Sequence, residues 1–115
     1  MSITIYHNPR CHKSRQTLAL LEKRGLETRV IEYLKTPPDM SELKTLLRLL
    51  GLPARGLLRT NEPEYKTAGL GNPALSDEAI MKAMIKHPKL IERPIVINGS
   101  KAMLGRPPEN VLRIL

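Results

Sequence analysis

The sequence predicts an α/β protein: a mixed sheet of about four strands, with a helical insertion between its first and last units. Three observations carry this. Ile3-Thr4-Ile5-Tyr6 alternates as a β-strand does, and it is followed by a helix-spaced segment and a second β run over residues 28–33. Strand, helix, strand in that order is most commonly solved as a parallel crossover. Near the other end, residues 94–97, the dipeptide Asn98-Gly99 and residues 100–104 carry the pattern of a β-hairpin. Between these units, leucines and other apolar residues recur at helical spacing.

Each element has a local reason. Asn8-Pro9 marks the turn after the first strand. From residue 12, Thr17, Leu18 and Leu21 can share a helix face, and Lys23-Arg24 place positive charge in the last turn before a stop at Gly25. Thr36-Pro37-Pro38 closes the first unit. Asp39 with Glu42 then resembles a capping box in front of Leu43, Leu46, Leu47 and Leu50, and Gly51 ends that helix. The chain continues through Pro53, Leu57-Leu58, a polar turn over residues 61–63 and a Gly69, Gly71, Pro73 cluster. Ser76, backed by Asp77 and Glu78, caps a further helix carrying Ile80, Met84 and Ile85, which stops at His87-Pro88. The insertion therefore spans about residues 39–88. After Gly105-Arg106-Pro107-Pro108 breaks the pattern, residues 109–115 are expected as a short helix with Val111, Leu112 and Leu115 facing inward.

The 115 residues match one domain, 1–115, with no repeat, linker or low-complexity tract. A signal-peptide pattern is missing, because His7, Asn8 and Arg10 interrupt the apolar start, and no apolar run approaches bilayer length. With a single cysteine there can be no internal disulfide, so a reduced, cytoplasmic setting is the expectation. Nineteen Lys and Arg against eleven Asp and Glu give a formal charge of +8, which favours anionic partners. Three Tyr, with no Phe or Trp, leave few stacking platforms and argue against nucleic acid as the principal partner.

Cys11 sits where the first strand gives way to the first helix. A thiol at a helix N-terminus meets unpaired backbone N–H groups and the positive end of the helix dipole, both of which favour the thiolate. Arg10, Lys13 and Arg15 surround it, so the same helix end should attract an anion. A free cysteine is equally compatible with a small buried hydrophobe, and the local pattern leaves both readings open. His7, four residues earlier, can supply positive charge or a hydrogen bond to the thiolate, or simply end a strand. Ser14 is placed to touch the sulfur, whereas Thr17 reads as packing. His7, Cys11 and His12 lack a further cysteine or a carboxylate cluster at recognised spacing, so no metal site is expected.

Three arginines stand in constrained contexts: Arg59 after Leu57-Leu58, Arg93 before Pro94 and Arg106 before Pro107. The residue before a proline is confined to extended backbone, which fixes direction, and a guanidinium grips an oxyanion with two parallel hydrogen bonds. Spacing alone does not make the three converge.

The segments Ile-Thr-Ile-Tyr-His7-Asn-Pro-x-Cys11-x-x-Ser14-Arg-x-Thr17, Tyr33-Leu-x-Thr-Pro-Pro38, Leu57-Leu-Arg59, His87-Pro88, Arg93-Pro-Ile-Val96 and Arg106-Pro107 together resemble the glutaredoxin-linked arsenate reductases, in order along the chain. The resemblance implies a thioredoxin-like fold with a helical insertion and a cis peptide before Pro94. It implies that Cys11 attacks arsenate, that Arg59, Arg93 and Arg106 hold the oxyanion, and that His7 and Ser14 keep the thiol ionised. Glutathione would then attack the cysteine-bound arsenate, and glutaredoxin would resolve the mixed disulfide, with no bound cofactor. A lone cysteine suits a cycle whose other thiols come from outside. The sequence departs from arsenate-detoxifying members at His12-Lys13, usually Gly-Thr, and at Arg10, usually small; it ends at Leu115, before the C-terminal extension of many members. Spx proteins share the fold and bind RNA polymerase, which makes a transcriptional regulator the rival reading; Ser14 stands where their switch carries its second cysteine. A thiol-transfer protein acting on glutathionylated partners is a third.

Overall fold

A computed structural model describes residues 3–115. The chain forms two compact units: the first takes the chain up to Thr36 and resumes at Arg93–Leu115, and the second is Pro37–Glu92.

The first unit holds the sheet. Strands β1 (Ile3–Tyr6), β2 (Thr28–Ile31), β3 (Ile95–Asn98) and β4 (Lys101–Leu104) lie in the order β2-β1-β3-β4. β1 runs parallel to β2, with Ile3 opposite Thr28, and antiparallel to β3, with Ile3 opposite Asn98. The fold is the mixed four-stranded α/β arrangement expected, and α1 (His12–Lys23) makes the crossover between the two parallel strands. Ile3 and Ile5 on β1, Leu21 on α1, Val96 on β3, and Val111 and Ile114 near the C-terminus close one core. Each such aliphatic side chain contributes roughly 1.5–3 kcal/mol by leaving water.

Three details differ from the sequence reading, each for a local reason. β2 stops at Ile31 rather than 33, because the Glu32 carbonyl turns to accept from the N–H groups of Lys35 and Thr36. In the hairpin Asn98 stays in the sheet opposite Lys101, its amide donating to the Ile114 carbonyl at 2.6 Å, so the two-residue turn is Gly99-Ser100, with Gly99 at φ 62°. The C-terminal element, Pro108–Ile114, is a 3-10 helix. Three residues per turn put Pro108, Val111 and Ile114 on one buried face, and Leu112, expected inside, is exposed.

The second unit is helical: α2 (Met40–Leu50), α3 (Ala54–Leu57), α4 (Pro63–Thr67), α5 (Asp77–Lys86) and a 3-10 turn at Pro88–Leu90. Its caps follow the sequence signals. Asp39 accepts from the Glu42 N–H at 2.8 Å, Ser76 accepts from the Ala79 N–H at 3.2 Å, and Gly51 ends α2 at φ 68°. The supposed turn at 61–63 instead leads into α4, with Pro63 in its first turn, where a missing N–H costs nothing. α5 packs against α2, α3 and the 3-10 turn. A short antiparallel bridge joins Leu58 to Ile91.

Candidate active site

The β1–α1 junction fixes the cysteine. The Cys11 N–H donates to the Asn8 carbonyl at 3.0 Å, closing the Asn8-Pro9 turn, and Cys11 occupies the N-cap position of α1 with extended backbone. It has no side-chain cap bond of regular geometry, yet it is surrounded by groups that act on its charge. Burial, at 8% exposure, pushes the thiol up; the Ser14 N–H, the Arg93 guanidinium's charge, the Lys13 N–H and a hydrogen bond from Arg93 together outweigh it. The thiol is thereby held below its ordinary value. The helix end and one arginine do the acidifying.

His7 and Ser14 are adjacent but face each other. His7 Nδ1 and Ser14 Oγ are hydrogen-bonded at 2.6 Å, and the Asn8 N–H donates to the same oxygen at 3.0 Å. Both side chains are buried. Burial lowers the His7 pKa, with Arg15 adding to the effect and Glu32 and Glu22 opposing it, which favours the neutral imidazole. The geometry of His7 braces the first turn of α1, and the contribution of Ser14 to the sulfur comes through its backbone N–H. Thr17 Oγ1 donates to the Lys13 carbonyl at 2.8 Å and is fully buried, as its packing role required.

Arg93 and Arg106 come together on the first unit. Arg106 donates to the Arg93 carbonyl at 3.3 Å, and both Arg93-Pro94 and Arg106-Pro107 are cis. The first of these was expected; the second was not. Gly105, between β4 and Arg106, donates to the Pro94 carbonyl at 3.0 Å. A Cβ there would stand 2.5 Å from Thr17 Oγ1 and 2.7 Å from the Pro94 ring, so only glycine lets this segment close onto the Arg93-Pro94 strand start. That close approach went unread in the sequence, where Gly105 looked like a simple breaker.

Arg59 belongs to the second unit. Its backbone is pinned by the Leu58–Ile91 bridge, with its N–H donating to Leu90 and the Glu92 N–H donating to Leu57, each at 2.8 Å. Its guanidinium meets Glu62 at 2.5 Å and Glu92 at 3.8 Å. Neither glutamate was singled out in the sequence. Glu62 at i+3 was a legible partner; Glu92 required the bridge.

Among the described residues, no three His, Cys, Asp or Glu side chains gather as a metal site, and no helix is long and apolar enough to cross a membrane.

Fold and site together define a thioredoxin-like α/β protein whose cysteine stands, acidified, at the head of the first helix. The ArsC family model matches residues 6–114, and the chain belongs to the ArsC family. It is 52% identical over 114 residues to an arsenate reductase of Neisseria meningitidis, covering 98% of this chain and 97% of that protein. The identity is also 52% over 114 residues to the Escherichia coli K12 protein YfgD, covering 98% and 96%. The solved arsenate reductase from Vibrio cholerae superposes with a TM-score of 0.97 at 55% identity, covering 100% of this chain and 98% of that one.

Proposed function

We propose that the chain reduces arsenate to arsenite, with Cys11 as nucleophile and with glutathione and glutaredoxin as the source of electrons. The observation that carries this reading is the acidified Cys11 thiol beneath the Ser14 and Lys13 N–H groups and beside Arg93. The arsenate reductases of Neisseria meningitidis and Vibrio cholerae, similar along nearly the whole chain, support the substrate.

Thiolate attack on arsenic forms an S–As bond and expels one arsenate oxygen as water, with no change of oxidation state. A glutathione thiolate then attacks the adduct. The two sulfurs join as a mixed disulfide, the electron pair of the broken S–As bond stays on arsenic, and arsenite leaves. Glutaredoxin takes up the glutathionyl group and returns Cys11 to the thiolate. Arg59, Arg93 and Arg106 serve to neutralise the oxyanion, and His7 and Ser14 to hold the first turn of α1 in register. A reducing cytoplasm supplies both thiol donors.

The test is arsenite production from arsenate with glutathione and glutaredoxin present. Cys11→Ser is expected to fall to background, a loss on the order of 10³-fold or more. No turnover by the natural sequence, together with Cys11 alkylating no faster than an ordinary thiol, overturns the proposal.

A further inference from the structure

In the second unit Arg59 already holds an anion: the Glu62 carboxylate, 2.5 Å from its Nη1, with Glu92 at 3.8 Å from its Nε. The arrangement is built. Arg59 is fixed from its backbone by the Leu58–Ile91 bridge, which also sets Glu92 alongside, while Glu62 reaches back from the residue that precedes α4. All three side chains are only about a fifth to a quarter exposed, so the pair is screened less than a surface ion pair.

A carboxylate offers a guanidinium the same two oxygens as one edge of a tetrahedral oxyanion. We propose that Glu62 is an internal competitor: it occupies Arg59 while no oxyanion is bound and has to be displaced when one binds, setting an affinity threshold for the site. This rests on the reading of Arg59 as an oxyanion ligand. The displacement cost is common to all anions, so weakly held ones such as chloride or acetate are kept off Arg59 at ordinary concentrations, while an arsenate dianion, with twice the charge, still displaces Glu62. Glu92, farther away and on the bridge, remains as a lesser counter-charge.

The experiment is an NMR titration of the full chain with arsenate, without thiol donors, on four proteins: the natural sequence, Glu62→Gln, Arg59→Gln and the double variant. Glu62→Gln is expected to bind arsenate about three- to tenfold more tightly, the scale of a partly buried ion pair. In the Arg59→Gln background the same change is expected to have no effect, which is the coupling a double-mutant cycle measures. Glu62→Asp, which keeps the charge but shortens the reach, should fall between, and provides a second variant should the amide disturb folding. If Arg59→Gln weakens binding but Glu62→Gln does not tighten it, Arg59 stands as a ligand and the competitor role is overturned. If Glu62→Gln tightens binding equally in both backgrounds, the effect is general charge, and the proposal fails. If Arg59→Gln leaves binding unchanged, the reading of Arg59 itself falls.

Discussion

In the strand-rich unit the charge of Arg93 bears on the sulfur of Cys11, and Arg106 donates to the carbonyl of Arg93; in the helical unit Arg59 faces the carboxylates of Glu62 and Glu92. The same side chain does different work in the two places. Beside Cys11, a guanidinium shifts the protonation of a group that can change, which creates reactivity. Beside Glu62 and Glu92, it meets two carboxylates at ion-pair distance, so its charge is compensated and only exchange of partners remains. The units also differ in how they are held. The cysteine unit depends on one tight backbone approach, at Gly105, whereas the helical unit depends on caps at Asp39 and Ser76.

That contrast can be broken by substitution. Gly105→Ala forces a methyl against Thr17 and Pro94, so that one of them or the backbone has to shift, and is expected to cost ~1–3 kcal/mol in urea unfolding. It should also slow Cys11 alkylation, because the segment starting at Arg93-Pro94 has to move. Asp39→Ala is expected to cost only about 1 kcal/mol, the worth of an N-cap, and to leave the alkylation rate as it was. If the cap variant slowed alkylation as much as the glycine variant, the division of labour between the units would be wrong. A smaller effect sharpens the same point. The folded protein releases the Cys11 proton at a lower pH than the unfolded chain does, so stability should rise with pH between the depressed value and the ordinary 9.0 and be level above it. Cys11→Ser should remove that slope.

Much of this was legible in the residues. The βαβ order, the hairpin, the α2 and α5 caps and the stops at Gly25 and Gly51 each rest on a short-range signal that tertiary packing then kept. The misreadings lie where a distant group decides. Asn98 stayed in the sheet because the C-terminal Ile114 carbonyl claims its side chain, and the inward face of the last element changed when three residues per turn replaced 3.6. At the site, Cys11 and its helix end were visible, as was the need for fixed arginines. What could not be read was partnership. His7 pairs with Ser14, and Glu92 reaches Arg59 only because Leu58 bridges to Ile91.

The central claim is that the head of α1 and Arg93 hold the Cys11 thiol below its ordinary range. Its most direct test is the rate of Cys11 alkylation by iodoacetamide as a function of pH, in the natural sequence and in Arg93→Gln. The rate should climb to its plateau below the pH at which an ordinary thiol does so, and Arg93→Gln should move the climb to higher pH, slowing the reaction at pH 7 by about five- to tenfold. A profile that coincides with that of an ordinary thiol, and that Arg93→Gln does not move, would contradict it.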